Sequence, residues 1–345
     1  RSGVMREMVV GIVGCGYWGP NVLRSFAAVP GCRVKRAADR RPGRLKFIAE
    51  RFPKVELSAD HCDILLDPAI DIVCVVTPVS THYDLALAAL NAGKHVFVEK
   101  PLAAHPAQAE EITALAARKG LVVGVGHLFE YHPAITAMRD AMVGGAIGEL
   151  AYLDATRINL GPPTSEVNAL WDLAPHDISM VLLLTGEMPR AVTAFANSYA
   201  RECRLIDAAY LHLAFASGRM AHIHVSWLSP HKTRRLWAMG TRGSIVYDDT
   251  AADKVRIFDQ GFDSRIGAHD DDAHELVYRP AKVEVPVLAN DEPLRLECED
   301  FVRAVRFGGV PRADGASGLR VVRVLAAAEA SLARGSSAVA LAEIA

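Results

Sequence analysis

The 345-residue sequence lacks several features that mark particular classes of protein. It has no block or surplus of basic residues, with 38 Lys and Arg against 40 Asp and Glu, so a nucleic-acid partner is not expected. No apolar run reaches the roughly 18 residues that a membrane-spanning helix needs, and no membrane association is expected. No secretory signal is recognisable near the amino end, and cytoplasm is therefore the expected compartment.

Cysteines are few and histidines are scattered. The six cysteines form no C-x-x-C pair, and several lie in apolar runs, as small core residues of a reducing compartment do. His222 and His224 alternate with apolar residues and are predicted to share one sheet face, with His212 on the opposite face. Without a third ligand, no metal site is expected, and a sheet surface for self-association is the simpler interpretation.

What the chain does contain is an apolar strand that leads into a glycine-rich motif. Met8–Val13 is followed by Gly14-Cys15-Gly16-Tyr17-Trp18-Gly19, then by a helical pattern, and the next strand ends in Asp39. This is the sequence context of a dinucleotide site, in which backbone approaches the pyrophosphate at a helix amino end and the acid binds the adenosine ribose. The candidate cofactor contacts of this motif are Gly14, Gly16, Tyr17, Trp18, Gly19 and Asp39.

The acid also indicates which cofactor is bound. A carboxylate at Asp39 repels a 2′-phosphate, so NAD is the expected cofactor. Arg40 and Arg41 follow directly and could stack on adenine or receive that phosphate, which keeps NADP possible. The alternative for both arginines is a solvated loop.

The hydrophobic pattern changes near the middle of the chain. Strands and helices alternate up to Gly126, which predicts a Rossmann-type, doubly wound parallel sheet. Beyond it, strand-like runs with few long helices predict an α+β domain with a large open, mostly antiparallel sheet. We therefore expect an α/β protein with a dinucleotide-binding domain at 5–126 and a substrate-binding and oligomerisation domain at 127–345.

A lysine ends one of the strands of the first half. The apolar run Val96–Val98 leads into Glu99, Lys100 and Pro101, and the proline ends the strand. Ligands bind at the carboxyl edge of such a sheet, and a buried ammonium there is costly unless something uses or pairs it. The alternative is a solvent-facing Glu-Lys pair before a turn. The other candidate cofactor contacts on this edge are Thr77, Pro78, His82, Glu99 and Lys100.

The second half carries a carboxylate and an imidazole at helical spacing. Asp172 and His176 are four residues apart, so on a helix they share one face, where the acid can orient a general base. Pro175 requires that the helix either bends there or begins near it. The alternative is a capping Asp and a histidine of the core.

Taken together, these motifs resemble the glucose–fructose oxidoreductase / inositol dehydrogenase (Gfo/Idh/MocA) family along nearly the whole chain. The resemblance implies NAD(P)-dependent oxidation or reduction of a hydroxyl carbon in a sugar, nucleotide sugar or cyclitol. It also implies homodimers or homotetramers built through the open sheet, and often a cis Lys-Pro bond. The residues that carry it are Gly14, Gly16, Gly19, Glu99-Lys100-Pro101, Asp172 and His176.

The expected chemistry assigns three catalytic residues. His176 takes the hydroxyl proton, Lys100 hydrogen-bonds the same oxygen, and Asp172 orients the imidazole or binds a neighbouring hydroxyl. The alternatives are an NAD(P)-binding sensor without catalysis and an NADPH-dependent keto-sugar reductase. The candidate substrate contacts are Tyr131, Arg157, Asn159 and Trp171.

Overall fold

The computed structural model describes residues 6–161, 167–199, 205–260, 262–266, 274–278 and 282–344. The chain divides into two compact units. The first comprises Arg1–Tyr131, Asp291–Ala326 and Glu343–Ala345, and the second comprises His132–Asn290 and Ala327–Ala342. The first unit thus includes residues 291–326, which the sequence pattern assigns to the second domain.

A six-stranded parallel sheet with the order 3-2-1-4-5-6 forms the centre of the first unit. This order confirms the predicted doubly wound Rossmann architecture. Five of the strands coincide with predicted apolar runs, whereas the short third strand has no buried residue and no apolar run to reveal it. The strands are β1 Met8–Val13, β2 Cys32–Ala38, β3 Glu56–Ser58, β4 Ile72–Val75, β5 His95–Val98 and β6 Val123–Val125.

Helices connect these strands, as the alternating pattern predicts. The left-handed φ of 64° at Gly120 ends the helix before β6. Short 3₁₀ segments lie at Val79–Thr81, Leu128–Tyr131 and Leu341–Glu343. The helices of this part of the chain are α1 Gly19–Ala27, α2 Pro42–Arg51, α3 Cys62–Leu65, α4 His82–Asn91 and α5 Pro106–Lys119.

Three phenylalanines show why residues 291–326 belong to the first unit. Phe301 lies on α8 (Pro293–Phe307), and its ring contacts Phe97 edge-on at 5.6 Å and Phe26 at 6.3 Å between centroids. A Cβ on Gly124 would lie 2.5 Å from the Phe301 ring, so the helix packs directly on the backbone of β6. Burial of these rings stabilises the unit, and α8 completes its core.

The second unit contains a nine-stranded sheet with the order 16-13-12-11-7-10-9-8-17 and a separate two-stranded sheet. Its pairings are antiparallel except that of β7 with β10, which confirms the predicted open, mostly antiparallel sheet. The strands are β7 Leu150–Leu160, β8 Pro189–Asn197, β9 Ala208–Phe215, β10 Met220–Ser226, β11 Leu228–Gly240, β12 Ser244–Asp248, β13 Val255–Asp259, β14 Phe262–Ile266, β15 His274–Tyr278, β16 Lys282–Glu284 and β17 Val339–Ala340.

One face of the large sheet is covered by helix and the other is open. The helices are α6 Pro133–Val143 and α7 Ala169–Thr185, and α9 Gly315–Ala333 contains residues of both units. Ala221, Ile223 and Val225 of β10 are buried, while Met220, His222 and His224 of the same strand are not. The period of two in the sequence therefore corresponds to a buried and an open face.

The predicted orientation of His212 is wrong. His212 pairs directly with His222 across β9 and β10, and their rings lie 4.7 Å apart on the open face. The turn sets this register, because the amide of Phe215 donates to the carbonyl of Arg219 and thereby pairs residues of equal parity. Among the described residues, no helix is both long enough and apolar enough to cross a membrane.

Candidate active site

The glycine-rich motif forms the turn between β1 and α1. Gly14 has φ +101°, and a Cβ there would lie 2.4 Å from the carbonyl oxygen of Val76. A Cβ on Gly19 would lie 2.3 Å from the carbonyl oxygen of Gly14. At Gly16 the nearest atom would be an Arg41 nitrogen at 3.7 Å, so this backbone faces open space where a diphosphate can approach. The turn therefore fits a dinucleotide.

Asp39 stands at the carboxyl end of β2 and is held on both oxygens. Its Oδ2 accepts from the amide of Cys15 at 2.8 Å, which ties the acid to the glycine turn. Its Oδ1 accepts from the amide and Nε of Arg41 at 2.9 and 3.0 Å. Burial raises the pKa of Asp39, but these hydrogen bonds outweigh it and hold the pKa below its usual value. Arg40 and Tyr17 beside this site are exposed.

His82 joins the loops that follow β4 and β5. Its buried ring places Nδ1 2.9 Å from the carbonyl oxygen of Pro101 and Nε2 2.8 Å from that of Thr77. Burial lowers the pKa of His82, and the two carbonyls oppose that effect. Both ring nitrogens of His82, which was predicted to contact the cofactor, therefore lie against backbone carbonyl groups of the protein. Of the two neighbouring predicted contacts, Thr77 is half-buried and Pro78 is exposed.

Lys100 follows β5 and is half-buried, and the Lys100-Pro101 bond is cis. Its amide donates to Oε2 of Glu99 at 3.2 Å. His127, which follows β6, is fully buried, and its pKa is lowered to about 3 by burial and by the positive charge of Lys100. His127 is not among the site residues predicted from the sequence. Its position in the sequence, directly after β6, could have indicated it, because β6 lies next to β5, the strand that leads into Lys100.

In the second unit, α7 carries the predicted acid–base pair. The helix begins at Ala169, where the side chain of Asn168 accepts from the amide of Trp171 at 3.0 Å. Pro175 lies inside the helix, so the alternative in which the helix begins near the proline is wrong. Asp172 and His176 are consequently one turn apart on the same helix, and both are half-buried.

Aromatic and amide groups surround Asp172. Nε1 of Trp227 lies 3.4 Å from Oδ2 of Asp172. The amide of Gly161 donates to the carbonyl of Trp227 at 3.2 Å, and a Cβ on Gly161 would lie 3.1 Å from Nδ2 of the half-buried Asn159. Asn159 and Trp227 thus lie within reach of the same region as the acid, and no sequence pattern indicated Trp227.

Arg157 does not lie at the surface of this unit. It is 2% exposed, and its Nε and Nη2 donate to the two carboxylate oxygens of Asp177 at 2.7 and 3.1 Å. Burial raises the pKa of Asp177, which Arg157 opposes. Because Asp177 directly follows His176, this ion pair joins β7 to the helix beside the imidazole.

The two remaining substrate candidates also use their polar groups within the protein. The hydroxyl of buried Tyr131 donates to Oδ2 of Asp300 at 2.8 Å and accepts from the amide of Ala313 at 3.0 Å. Nε1 of Trp171 donates to Glu329 at 2.6 Å. Tyr131 and Trp171 are therefore packed inside the protein. Asn159 is the most exposed of the four substrate candidates.

Two family profiles match the chain. The profile described as "Oxidoreductase family, NAD-binding Rossmann fold" matches residues 8–127, and the GFO/IDH/MocA C-terminal domain matches residues 135–246. The first unit accordingly contains an NAD-binding Rossmann domain.

Relatives of known activity match along much of the chain. The UDP-N-acetylglucosamine 3-dehydrogenase of Acidithiobacillus ferrooxidans is 28% identical over 342 residues, which is 96% of this chain and 100% of that protein. The scyllo-inositol 2-dehydrogenase (NAD(+)) of Bacillus subtilis is 28% identical over 251 residues, 70% of this chain and 73% of that protein. A solved structure from Magnetospirillum magnetotacticum MS-1 is 30% identical with a TM-score of 0.79, and it covers 93% of this chain and 99% of its own.

Proposed function

Because the chain belongs to the Gfo/Idh/MocA oxidoreductase family, we propose that it transfers a hydride between NAD and a CH–OH carbon of a sugar carried by a nucleotide. The observation that supports this substrate class is the share of each relative's length that aligns with this chain. The nucleotide-sugar dehydrogenase aligns with all of its own length, whereas the inositol dehydrogenase aligns with 73% of its length. Free sugars and cyclitols are the competing substrates.

The chain's own residues have distinct tasks in binding NAD. Gly16 admits the diphosphate at the amino end of α1, and Asp39 accepts hydrogen bonds from the ribose hydroxyls. Its lowered pKa keeps Asp39 an anion throughout the neutral range. The bound nicotinamide supplies the hydride acceptor or donor.

Two residues act on the substrate hydroxyl in this proposal. His176 takes the hydroxyl proton, with Asp172 one turn earlier on α7 to orient the ring. Lys100, at the carboxyl end of β5, donates a hydrogen bond to the oxygen and stabilises its developing negative charge. A proton acceptor of this kind contributes about 10²–10⁴-fold to the rate.

A substrate panel tests the proposal. NADH formation is followed with UDP-hexoses, including UDP-N-acetylglucosamine, and with myo-inositol, scyllo-inositol and free hexoses. Turnover of a UDP-hexose with the highest kcat/KM is the expected result. A higher kcat/KM for an inositol or a free hexose would contradict the nucleotide-sugar assignment, and no turnover in either direction would contradict the dehydrogenase.

Matched variants test the residue roles. Lys100→Met and His176→Asn are each expected to lower kcat by about 10²–10⁴-fold while NADH binding, measured by fluorescence, is retained. Lys119→Met and His105→Asn change exposed residues of the same types and serve as controls. Equal kcat values for Lys100→Met and Lys119→Met would exclude Lys100 from catalysis.

A further inference from the structure

Two buried or shielded acidic side chains of the first unit take no part in the proposed reaction. Glu297 on α8 is 1% exposed, and neither carboxyl oxygen has a hydrogen-bond partner within the described residues. Glu99 is half-buried as a residue, and its Oε2 accepts from the amide of Lys100, whereas its shielded Oε1 faces the indole of Trp18 and makes no hydrogen bond of normal geometry within the described residues. Buried polar groups are normally hydrogen-bonded, so two such carboxyls on neighbouring elements require an explanation.

The packing of α8 on β5 brings the two side chains to the same region. Phe97 and Phe301 are in ring contact at 5.6 Å. Glu99 directly follows β5 and is two residues after Phe97, about 6.6 Å farther along an extended chain, and Glu297 is one helical turn before Phe301, about 6 Å along the helix. Residues 305–307 at the carboxyl end of α8 lie beside His95 at the start of β5, so the helix runs antiparallel to the strand and both displacements lead toward the carboxyl edge of the sheet.

The neighbouring strand provides the space. Gly124 and Gly126 lie on one face of the chain at β6 and the residue after it, because they are two residues apart. A Cβ on Gly124 would lie 2.5 Å from the ring of Phe301, and a Cβ on Gly126 would lie 2.8 Å from Oε2 of Glu99. The absence of side chains at both glycines therefore makes room for the ring and for the carboxyl group beside it.

Two carboxylates cannot both stay ionised in this environment. Removing a charge from water without a partner costs far more than folding can offset, and the group keeps its proton instead. Burial raises the pKa of Glu99 to about 7, which Lys100 opposes. Burial raises the pKa of Glu297 well above its usual value, and the negative charges of Glu99, Glu130 and Asp300 raise it further.

We propose that Glu99 and Glu297 together hold one proton at mildly alkaline pH, that Glu297 is the protonated partner, and that Glu297 is thereby a positioning residue that maintains a single negative charge beside Lys100. The proposal rests on the proposed function, in which Lys100 donates to the substrate oxygen. The other titratable groups that face the pair are Cys74 on β4, Lys100 after β5, His127, Glu130 and Tyr131 after β6, and Cys298 and Asp300 on α8.

Infrared spectroscopy tests the proton without using activity. At mildly alkaline pH the carbonyl stretch of protonated, buried carboxyl groups is recorded for the protein and for Glu297→Gln. We expect the variant to lose the intensity of one such group, while Glu299→Gln, two residues away and half-exposed, loses none. An unchanged band in Glu297→Gln would overturn the proposal, whether or not the protein is a dehydrogenase.

The pH profile of kcat/KM tests the link to Lys100. In Glu297→Gln an uncharged amide replaces the protonated carboxyl, so the acidic limb of the kcat/KM profile, where Glu99 titrates, stays in place. The decrease of kcat/KM that ionisation of Glu297 causes at high pH disappears. In Glu297→Met no ionisable group remains at this position either, so the same decrease at high pH, which a second negative charge beside Lys100 causes, disappears there as well. A decrease of kcat/KM by one factor at every pH in both variants would show a merely structural role and overturn the proposal. If the panel yields no substrate, the proposed function fails and the infrared result still decides the shared proton.

Discussion

Arg41 covers the carboxylate of Asp39, with Nε 3.0 Å from Oδ1 and Nη2 3.1 Å from Oδ2. The acid that disfavours a 2′-phosphate is therefore partly neutralised by a residue two positions later. We expect Arg41→Ala to expose the full charge of Asp39 and to weaken NADPH binding by roughly tenfold, since about 1.4 kcal/mol of repulsion is enough. Dissociation constants for NADH and NADPH, measured by fluorescence titration, check this prediction.

The adjacent arginine provides the control for the cofactor experiment. Arg40 is exposed and contributes no hydrogen bond to Asp39 among those of the described residues. Arg40→Ala should change the ratio of the two dissociation constants less than Arg41→Ala does. A larger change for Arg40→Ala would assign the phosphate contact to the exposed residue and contradict the role given to Arg41.

A second prediction concerns acid stability and His127. Its pKa is about 3 in the folded protein against a usual value of 6.5, so below pH 6.5 the unfolded chain binds a proton that the folded chain excludes. The contribution of neutral His127 to the free energy of unfolding is fully present above pH 6.5. As the pH falls from 6.5 toward 3, the free energy of unfolding decreases by about 1.4 kcal/mol per pH unit. His127→Leu removes this contribution and should flatten the pH dependence of the free energy of unfolding.

Urea denaturation at several pH values between 7 and 4 measures this slope. His105→Leu is the control, because His105 is exposed and its replacement leaves the buried histidine in place. The control should keep the slope of the parent protein. Parallel slopes for the parent and His127→Leu would contradict the assignment of a neutral, buried His127.

The motifs that use local spacing were predictable from the sequence. The glycine turn, the Glu99-Lys100-Pro101 strand end and the alternation of strands and helices follow from residues adjacent in the chain, where steric limits leave few conformations. The shared face of His222 and His224 on β10 also followed from alternation. The orientation of His212 did not, because one turn hydrogen bond decides the register of β9 against β10.

Contacts between distant segments were not predictable in this way. Glu297 lies near β5 because Phe301 of the same helix packs on Gly124 of β6. No local sequence pattern relates residues that are so far apart in the chain. The same holds for Trp227, whose ring nitrogen meets Asp172 across the second unit. Arg157 was predicted from the sequence as a substrate contact, because nothing local indicates that its partner is Asp177 on another element.

A third prediction concerns self-association, which we propose occurs through the open face of the nine-stranded sheet. Phe195 and Tyr210 pair across β8 and β9 on this face and are 59% and 54% exposed. Contiguous exposed aromatic side chains of this kind mark interaction surfaces. We expect the parent protein to be a dimer or tetramer and Phe195→Glu/Tyr210→Glu to have a lower mass by light scattering.

The control for the association experiment lies outside the sheet. Val143 at the end of α6 is 82% exposed, and Val143→Glu adds a charge without altering the open face. Its mass should equal that of the parent protein. A monomeric parent protein, or an unchanged mass in the double variant, would contradict this use of the sheet.

The ion pair of Arg157 and Asp177 gives the last prediction and separates packing from substrate binding. Both side chains are 2% exposed, so Arg157→Met leaves an unpaired buried carboxylate and should cost about 3–5 kcal/mol of stability. In Arg157→Met/Asp177→Leu no charge remains unpaired, and most of that stability should return. Because the guanidinium is engaged by Asp177, the KM for the nucleotide sugar should stay near that of the parent protein in the double variant. A double variant of restored stability with a greatly raised KM would instead identify Arg157 as a substrate contact.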